Sequence, residues 1–369
     1  MKKIGPFTIA FTEEQKQQFY KYCDQIFDEA YLTNHSLVHL FEERFASFSG
    51  ASSSILVNSG TAALELALKA LDVKGKKVIL PTNTFIATAI AIINAGAIPL
   101  PLDIENDYFG LCPHELDKYI RQDIGAVIAV HIGGHISPAI KKIASLCLQN
   151  NVPLIEDCAH AHGAELEGIK AGLFGKAGCF SHFLTKIMTL GEAGSVISND
   201  RAFVDHLISL RQFGVDANDS LLHHNPGGSN FKVTEFQAAL GLVELERVHE
   251  RIQRRRENAS RYQKNLAQTK WKAIADSPNA RGSYYKQIII PPPTIGRAQI
   301  IDSLRKINVT LSGGAYYYPL HRQSILASYV SGMTYPVADK FAHEHICPPC
   351  HPEITTGDID LICEKLLSL

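Results

Sequence analysis

The segment Phe180 to Asp200, FSHFLTKIMTLGEAGSVISND, sets how the rest of the chain is read. It starts as a short apolar strand and breaks at Thr185-Lys186. It then passes through a Gly-containing turn, Leu190 to Gly194, and resumes as the strand Ser195-Val196-Ile197-Ser198. A lysine between a strand and a Gly-rich turn is free to point into a cleft. Partial desolvation disfavours the charged form of an amine and so lowers its pKa. A neutral amine is a nucleophile that can condense with a carbonyl. The competing assignment is a solvated surface charge, the ordinary fate of a lysine. Partners elsewhere in the chain decide between the two.

Upstream, apolar strands alternate with helices. Leu37 to Phe48 has helical apolar spacing and follows an N-terminal arm and a turn at Thr33-Asn34-His35. Strands are then expected at Ser54–Val57, Lys77–Leu80, Ile98–Asp103, Gly125–Val130 and Pro153–Glu156. Helices are expected between them at Thr61–Leu71, Phe85–Asn94, Pro113–Ile120 and Pro138–Gln149. Continuous apolar strands separated by helices predict an α/β fold with a mostly parallel sheet covered on both faces. Ligands in such sheets sit at the carboxyl ends of the strands.

Those ends carry chemistry-bearing residues. Asn58-Ser59-Gly60-Thr61 joins a strand to a helix, and its small residues, hydroxyls and helix N–H groups suit an anion. Simple N-capping by Ser59 explains the same residues. Phe85, after Pro81-Thr82-Asn83-Thr84, either stacks on a flat ligand or packs in the core. Asp157 closes an apolar strand in Glu156-Asp157-Cys158-Ala159-His160. A carboxylate there costs free energy unless paired. Its partner is either a structural arginine or a protonated ring nitrogen of a ligand.

Downstream, a helix at Phe203–Gln212 and a polar loop with Asn225-Pro226-Gly227-Gly228 precede a long helical region from Thr234 to Gln263. A domain boundary is placed there, giving residues 1–250 as arm and large α/β domain and 251–369 as a small α+β domain. Arg254-Arg255-Arg256 is expected on a solvated face. The second part holds an expected strand Tyr284–Ile290, a helix Arg297–Lys306, the aromatic segment Tyr316 to His321, and a last helix from about Gly357.

The chain has 369 residues, 46% hydrophobic and 20% charged, with a net charge of −1. The absence of a basic excess argues against nucleic-acid binding. The start, MKKIGPFTIAFTEEQKQQ, lacks the apolar core of an export signal. The apolar run Ala87–Leu102 is interrupted by Asn94, Gly96, Pro99 and Pro101, which predicts a helix and a strand, not a membrane span. Eight cysteines in a cytoplasmic type of chain are expected as free thiols. Cys347-Pro348-Pro349-Cys350-His351 has the spacing of haem-attachment, redox and half-zinc motifs. Haem attachment needs export, and zinc needs a second ligand pair beyond His343 and His345. A Pro-rich loop before the last helix is the simpler assignment.

An anion-binding turn, an aromatic side chain, a buried aspartate and a later lysine together meet the needs of pyridoxal 5′-phosphate (PLP), and no metal is required. The sequence resembles the DegT/StrS-type nucleotide-sugar aminotransferases, a branch of the fold-type I PLP enzymes. The resemblance runs from Leu32-Thr33-Asn34 to Pro348. It is carried by NSGTAAL at Asn58, PTNTFIATA at Pro81, EDCAHAHGA at Glu156, FSHFLTK with GEAG, and GSNFKVTEFQAALG at Gly228. By position it implies that Lys186 links to the cofactor aldehyde and then shuttles protons. Asp157 would pair with the pyridine nitrogen, His160 would lie near the phenolic oxygen, and Phe85 would stack on the ring. Gly60, Thr61 and Ser181 would hold the phosphate. Asn230 would reach the phosphate of a neighbouring subunit, which implies a homodimer with shared sites.

The implied reaction moves an amine from an amino acid, L-glutamate by resemblance, through the pyridoxamine 5′-phosphate form to a nucleotide-linked keto-deoxysugar. Substrate contacts are placed at Tyr316, Tyr317, His321 and the Thr33–His35 turn, each of which also has a structural explanation. Three positions depart from the family pattern: His182-Phe183 in inverted order, Ile187 after the lysine, and GEAG for GEGG. Other readings are a different fold-type I reaction on a small amino acid, or a PLP-binding regulator without catalysis.

Overall fold

The computed structural model describes residues 3–215 and 224–369. The first two residues of the arm and the middle of the polar loop, 216–223, lie outside the described residues. Two helices come first, α1 (Glu13–Glu29) and α2 (Ser36–Ser49). The alternation follows: β1 (Ser53–Val57), α3 (Gly60–Ala70), β2 (Lys77–Pro81), α4 (Ile86–Asn94), β3 (Ile98–Leu102), α5 (Pro113–Tyr119), β4 (Ile124–Val130), α6 (Ala139–Gln149) and β5 (Leu154–Asp157). A small hairpin, β6 (Glu165–Leu166) and β7 (Ile169–Lys170), precedes β8 (Ala177–Ser181) and β9 (Gly194–Ser198). Each expected strand and helix of this part is present, with ends shifted by a residue or two.

Seven strands form one sheet in the order β1-β9-β8-β5-β4-β2-β3. β8, β5, β4, β2 and β3 run parallel, whereas β9 is antiparallel to both β1 and β8. The loop from β8 to β9 contains no helix, so the chain turns straight back and cannot make a parallel crossover. Alternate residues of each strand enter opposite cores. Ile55, Val57, Val78, Leu80 and Ile128 pack with α3, α4 and α7 (Arg201–Arg211). Leu56, Ile79, Val127 and Ala129 pack with α2, α6 and α8 (Glu235–Glu246). Burial on both faces is why these strands read as unbroken apolar runs.

The long helical region is two helices, α8 and α9 (Val248–Leu266), broken at Arg247. The expected solvated face at Arg254-Arg255-Arg256 is corrected. Arg254 is exposed, but Arg255 is only 6% exposed, and its guanidinium donates to the carbonyls of Tyr284, Tyr285 and Cys350. Arg256 is half-buried on the carbonyls of Gly282 and Gly163.

A third core joins Tyr262 and Leu266 of α9 to α10 (Arg297–Arg305) and α12 (Thr356–Leu367). Ile4 of the arm belongs to it and bridges to Val309. Short strands β10 (Lys272–Ala273), β11 (Ala280–Arg281) and β12 (Ile289–Ile290) replace the expected strand Tyr284–Ile290. Tyr284 has φ +48°, and Ser283 and Lys286 donate to the carbonyls of Gly134 and Gly133 after β4, so this stretch is a loop on the large sheet. α11 (Pro336–Glu344) leads into the Cys347–His351 loop, where both cysteines are free and buried. No described helix is long and apolar enough to cross a membrane.

Candidate active site

A cleft of about 510 Å³ opens at the carboxyl ends of β1, β5 and β8. The start of α3 forms one wall. Ser59 caps that helix, its hydroxyl accepting the Ala62 N–H at 3.0 Å, and also lines the cleft with Gly60 and Thr61. Capping and anion binding are therefore compatible here. A Cβ at Gly60 would stand 2.7 Å from that of Ser181, so only glycine lets the helix end abut β8. Gly194 is needed for a similar reason: a Cβ there would meet the Ser59 carbonyl oxygen at 2.3 Å.

Asp157 ends β5 in the floor and is 6% exposed. Thr88 donates to Oδ2 at 3.0 Å and the Ala159 N–H donates to Oδ1 at 3.1 Å. Burial raises its pKa above the ordinary carboxylate value, partly offset by those bonds and by Lys186. No arginine pairs with it among the described residues.

Lys186 lies on the loop between β8 and β9; β8 ends at Ser181, a few residues before the expected break at Thr185-Lys186. The loop is held by His182 N–H to Ala193 O, Leu190 N–H to His182 O, and Lys186 N–H to Phe183 O. Beneath it His182 is buried among Phe41 and Phe45, bonds Ser195 at 2.8 Å, and is pushed down to about 3, hence neutral. The Lys186 amine sits 4.8 Å above the Tyr285 ring. Burial depresses its pKa, against the attraction of Tyr285 and Asp157. This half-buried position over a tyrosine ring differs from that of a fully solvated lysine.

His160 stacks on Tyr285, centroids 4.3 Å apart, and its Nε2 meets the Tyr316 hydroxyl at 3.1 Å. Burial, reinforced by Lys186 and Lys286, lowers its pKa well below the usual range, so the ring is neutral. Its Nδ1 is buried without a partner. Phe85 is 57% exposed, lines the cleft, and faces Tyr316 at 6.1 Å; it is not a core residue.

Not every expected contact gathers here. Tyr316 lines the cleft, whereas Tyr317 turns away beneath the Arg297 guanidinium, 3.9 Å from its ring centroid. His321 bridges Thr82 at 2.8 Å and Asp339 at 2.9 Å outside the cleft. The Thr33–His35 turn is tied to Val233 and Glu235. Asn230 is exposed, its carbonyl accepts from Asn58 at 3.3 Å, and it does not line its own chain's cleft. Thr88, Tyr285 and Lys286 were not singled out from sequence. Thr88 carried a usable signal, a hydroxyl one helical turn after Thr84 beside a strand end. Tyr285 and Lys286 carried none.

Among the described residues His131, Glu156 and Cys158 are spaced for a metal. The Glu156 carboxylate is already taken by His131 and by the N–H groups of Gly172, Phe174 and Gly175. This cluster anchors the loop before β8 to the sheet.

A lysine, a buried carboxylate and a helix start gathered at the carboxyl ends of a mostly parallel sheet are the arrangement of an α/β transferase of the fold-type I class. The family profile described as DegT/DnrJ/EryC1/StrS aminotransferase matches residues 13–367, and the chain belongs to that family. It is 30% identical over 347 residues to GDP-perosamine synthase of Vibrio cholerae, covering 93% of this chain and 94% of that protein. It is 28% identical over 347 residues to UDP-4-amino-4,6-dideoxy-N-acetyl-beta-L-altrosamine transaminase of Campylobacter jejuni, with 92% and 91% covered. The fold superposes on Helicobacter pylori PseC, an aminotransferase involved in pseudoaminic acid biosynthesis, with a TM-score of 0.91, 23% identity, and 100% and 99% covered.

Proposed function

We propose that this protein is a PLP-dependent aminotransferase that moves an amino group from an amino acid to a nucleotide-linked keto-deoxysugar, in amino-sugar or surface-polysaccharide biosynthesis. One observation carries the reading: Lys186 and the buried Asp157, which no arginine pairs among the described residues, line one cleft with the start of α3.

The residues fit the cofactor. Gly60 and Thr61 at the start of α3, with Ser181 at the end of β8, suit its phosphate, and Phe85 suits a ring face. Asp157 suits a protonated ring nitrogen, and the unpartnered Nδ1 of His160 suits a ring oxygen. When bound, PLP supplies an electron sink and a carbon that carries nitrogen between the two substrates. Asp157 holds the ring proton, because a carboxylate in so dry a place is strongly stabilised by a cation. Lys186, whose proton burial makes easier to lose, is placed to accept a proton from the donor carbon and return it elsewhere. Phe85 and Tyr316 wall the cleft.

L-Glutamate as donor, a homodimer with shared sites, and a cytoplasmic location belong to the same proposal. The exposed position of Asn230, outside its own cleft, supports the shared site. The test is an absorbance titration of the PLP-loaded protein. L-Glutamate should bleach the visible band, and one member of a panel of GDP- and UDP-linked keto-deoxysugars should restore it. If no amino acid changes the band, the transamination reading fails.

A further inference from the structure

We propose that Arg255 and Lys286 form a carboxylate-binding subsite for the amino donor, in a side chamber off the main cleft. The proposal rests on the aminotransferase reading and adds where the donor's charge is held. The chamber, of about 220 Å³, shares Thr185, Tyr285, Lys286 and Gly313 with the main cleft and is closed on one side by Pro6 and Phe7 of the arm. Its lining contains two cations and no carboxylate.

Arg255 is the unexplained group. It is 6% exposed, yet it makes no ion pair among the described residues. All of its hydrogen bonds leave from Nη1, to three main-chain carbonyls at 3.3 to 3.4 Å, which is long for charge-assisted bonds. Nε is buried with no partner. The neighbouring Arg251 differs, being paired with Glu244 at 2.7 Å. A buried cation with only neutral acceptors is costly, and an anion entering beside it relieves that cost. Arg255 lines the chamber, and a guanidinium suits a planar carboxylate. Lys286, whose amine donates only to the Gly314 carbonyl, stands on the boundary between chamber and cleft.

A donor's carboxylate and a nucleotide's diphosphate are both anions. The chamber favours the carboxylate. It joins the cleft at Thr185 and Tyr285, which flank the Lys186 amine, and the donor carbon to be deprotonated is one bond from its carboxylate. A diphosphate would have to bring a nucleoside into the same small space.

Glutarate, which has both carboxylates and no amine, is the probe. Its binding to the PLP-loaded protein is measured by calorimetry for the wild type, Arg255→Gln, Arg255→Lys and Lys286→Gln, beside GDP and UDP. The expected result is glutarate affinity about tenfold or more weaker in Arg255→Gln and Lys286→Gln, partial rescue in Arg255→Lys, and unchanged nucleotide binding. Glutarate that does not bind the wild type, or binds the folded Gln variants as tightly, overturns the subsite. So does a loss confined to GDP and UDP, which marks a diphosphate site. Should Arg255→Gln not fold, Lys286→Gln decides alone. Glutarate binding through Arg255 in a protein that accepts an amine from no amino acid leaves the subsite standing and removes the aminotransferase reading. Turnover with Arg255-independent glutarate binding does the reverse.

Discussion

At the scale of single residues, burial sets the electrostatics of Lys186 and Asp157. Lys186→Ala should leave folded protein that still binds the cofactor and has lost turnover by several orders of magnitude; a fully active variant would remove Lys186 from the chemistry. The depressed pKa also has a consequence for stability. Between the lowered folded value and the ordinary 10.5, the unfolded chain holds a proton that the folded chain lacks, so stability rises with pH in that window. Below the window the folded state carries a poorly solvated cation. Lys186→Met should therefore raise the Tm of the cofactor-free protein at pH 7 by on the order of 1–2 °C, with the gain shrinking as pH approaches 10. A gain independent of pH would contradict the burial argument. The residue types at this site were legible because strand ends that carry Lys, Asp and Gly-Thr are uncommon without a use. Tyr285 and Lys286 were not legible, since only a loop bonded to the Gly133-Gly134 carbonyls brings them to the cleft.

Among elements, the contacts of α3, β8 and β9 are set by glycines. Gly60→Val would push Ser181 and the helix N-terminus apart, so cofactor affinity should fall about tenfold or more while far-UV circular dichroism stays unchanged. An unaltered affinity would separate this turn from phosphate binding. Glu156 tests the other side of the sheet. Glutamine keeps one acceptor but turns an amide toward the N–H groups that the carboxylate bonds. Glu156→Gln should cost about 2–4 kcal/mol in denaturant unfolding, whereas an unchanged midpoint would mean the loop before β8 is held by other contacts. Strands β1 to β5 were legible as apolar runs, and their helices by spacing. The break at Arg247 was not, because Val243 and Val248 continue an apolar pattern through it and packing alone decides where the axis turns.

For the whole molecule, we propose a division near residue 250, with Ile4 of the arm counted with the second part because it packs in the third core. If Asn230 completes a neighbour's site, Lys186→Ala and Asn230→Ala proteins should each be inactive alone. Refolded together they should regain about a quarter of wild-type activity, since a mixed dimer holds one intact site. No recovery in confirmed mixed dimers would assign Asn230 to its own chain. By itself the sequence determined the α/β alternation, the turn at Gly60, the strand end at Asp157, the break that holds Lys186, and the family, because burial on both faces and turn chemistry are written locally. The tertiary structure alone decided the antiparallel insertion of β9, the burial of Arg255, the placing of Tyr316 inside the cleft, and that of Tyr317 and His321 outside it. Those outcomes depend on which distant segments meet, and a side chain's neighbours across the fold leave no periodicity in its own stretch of chain.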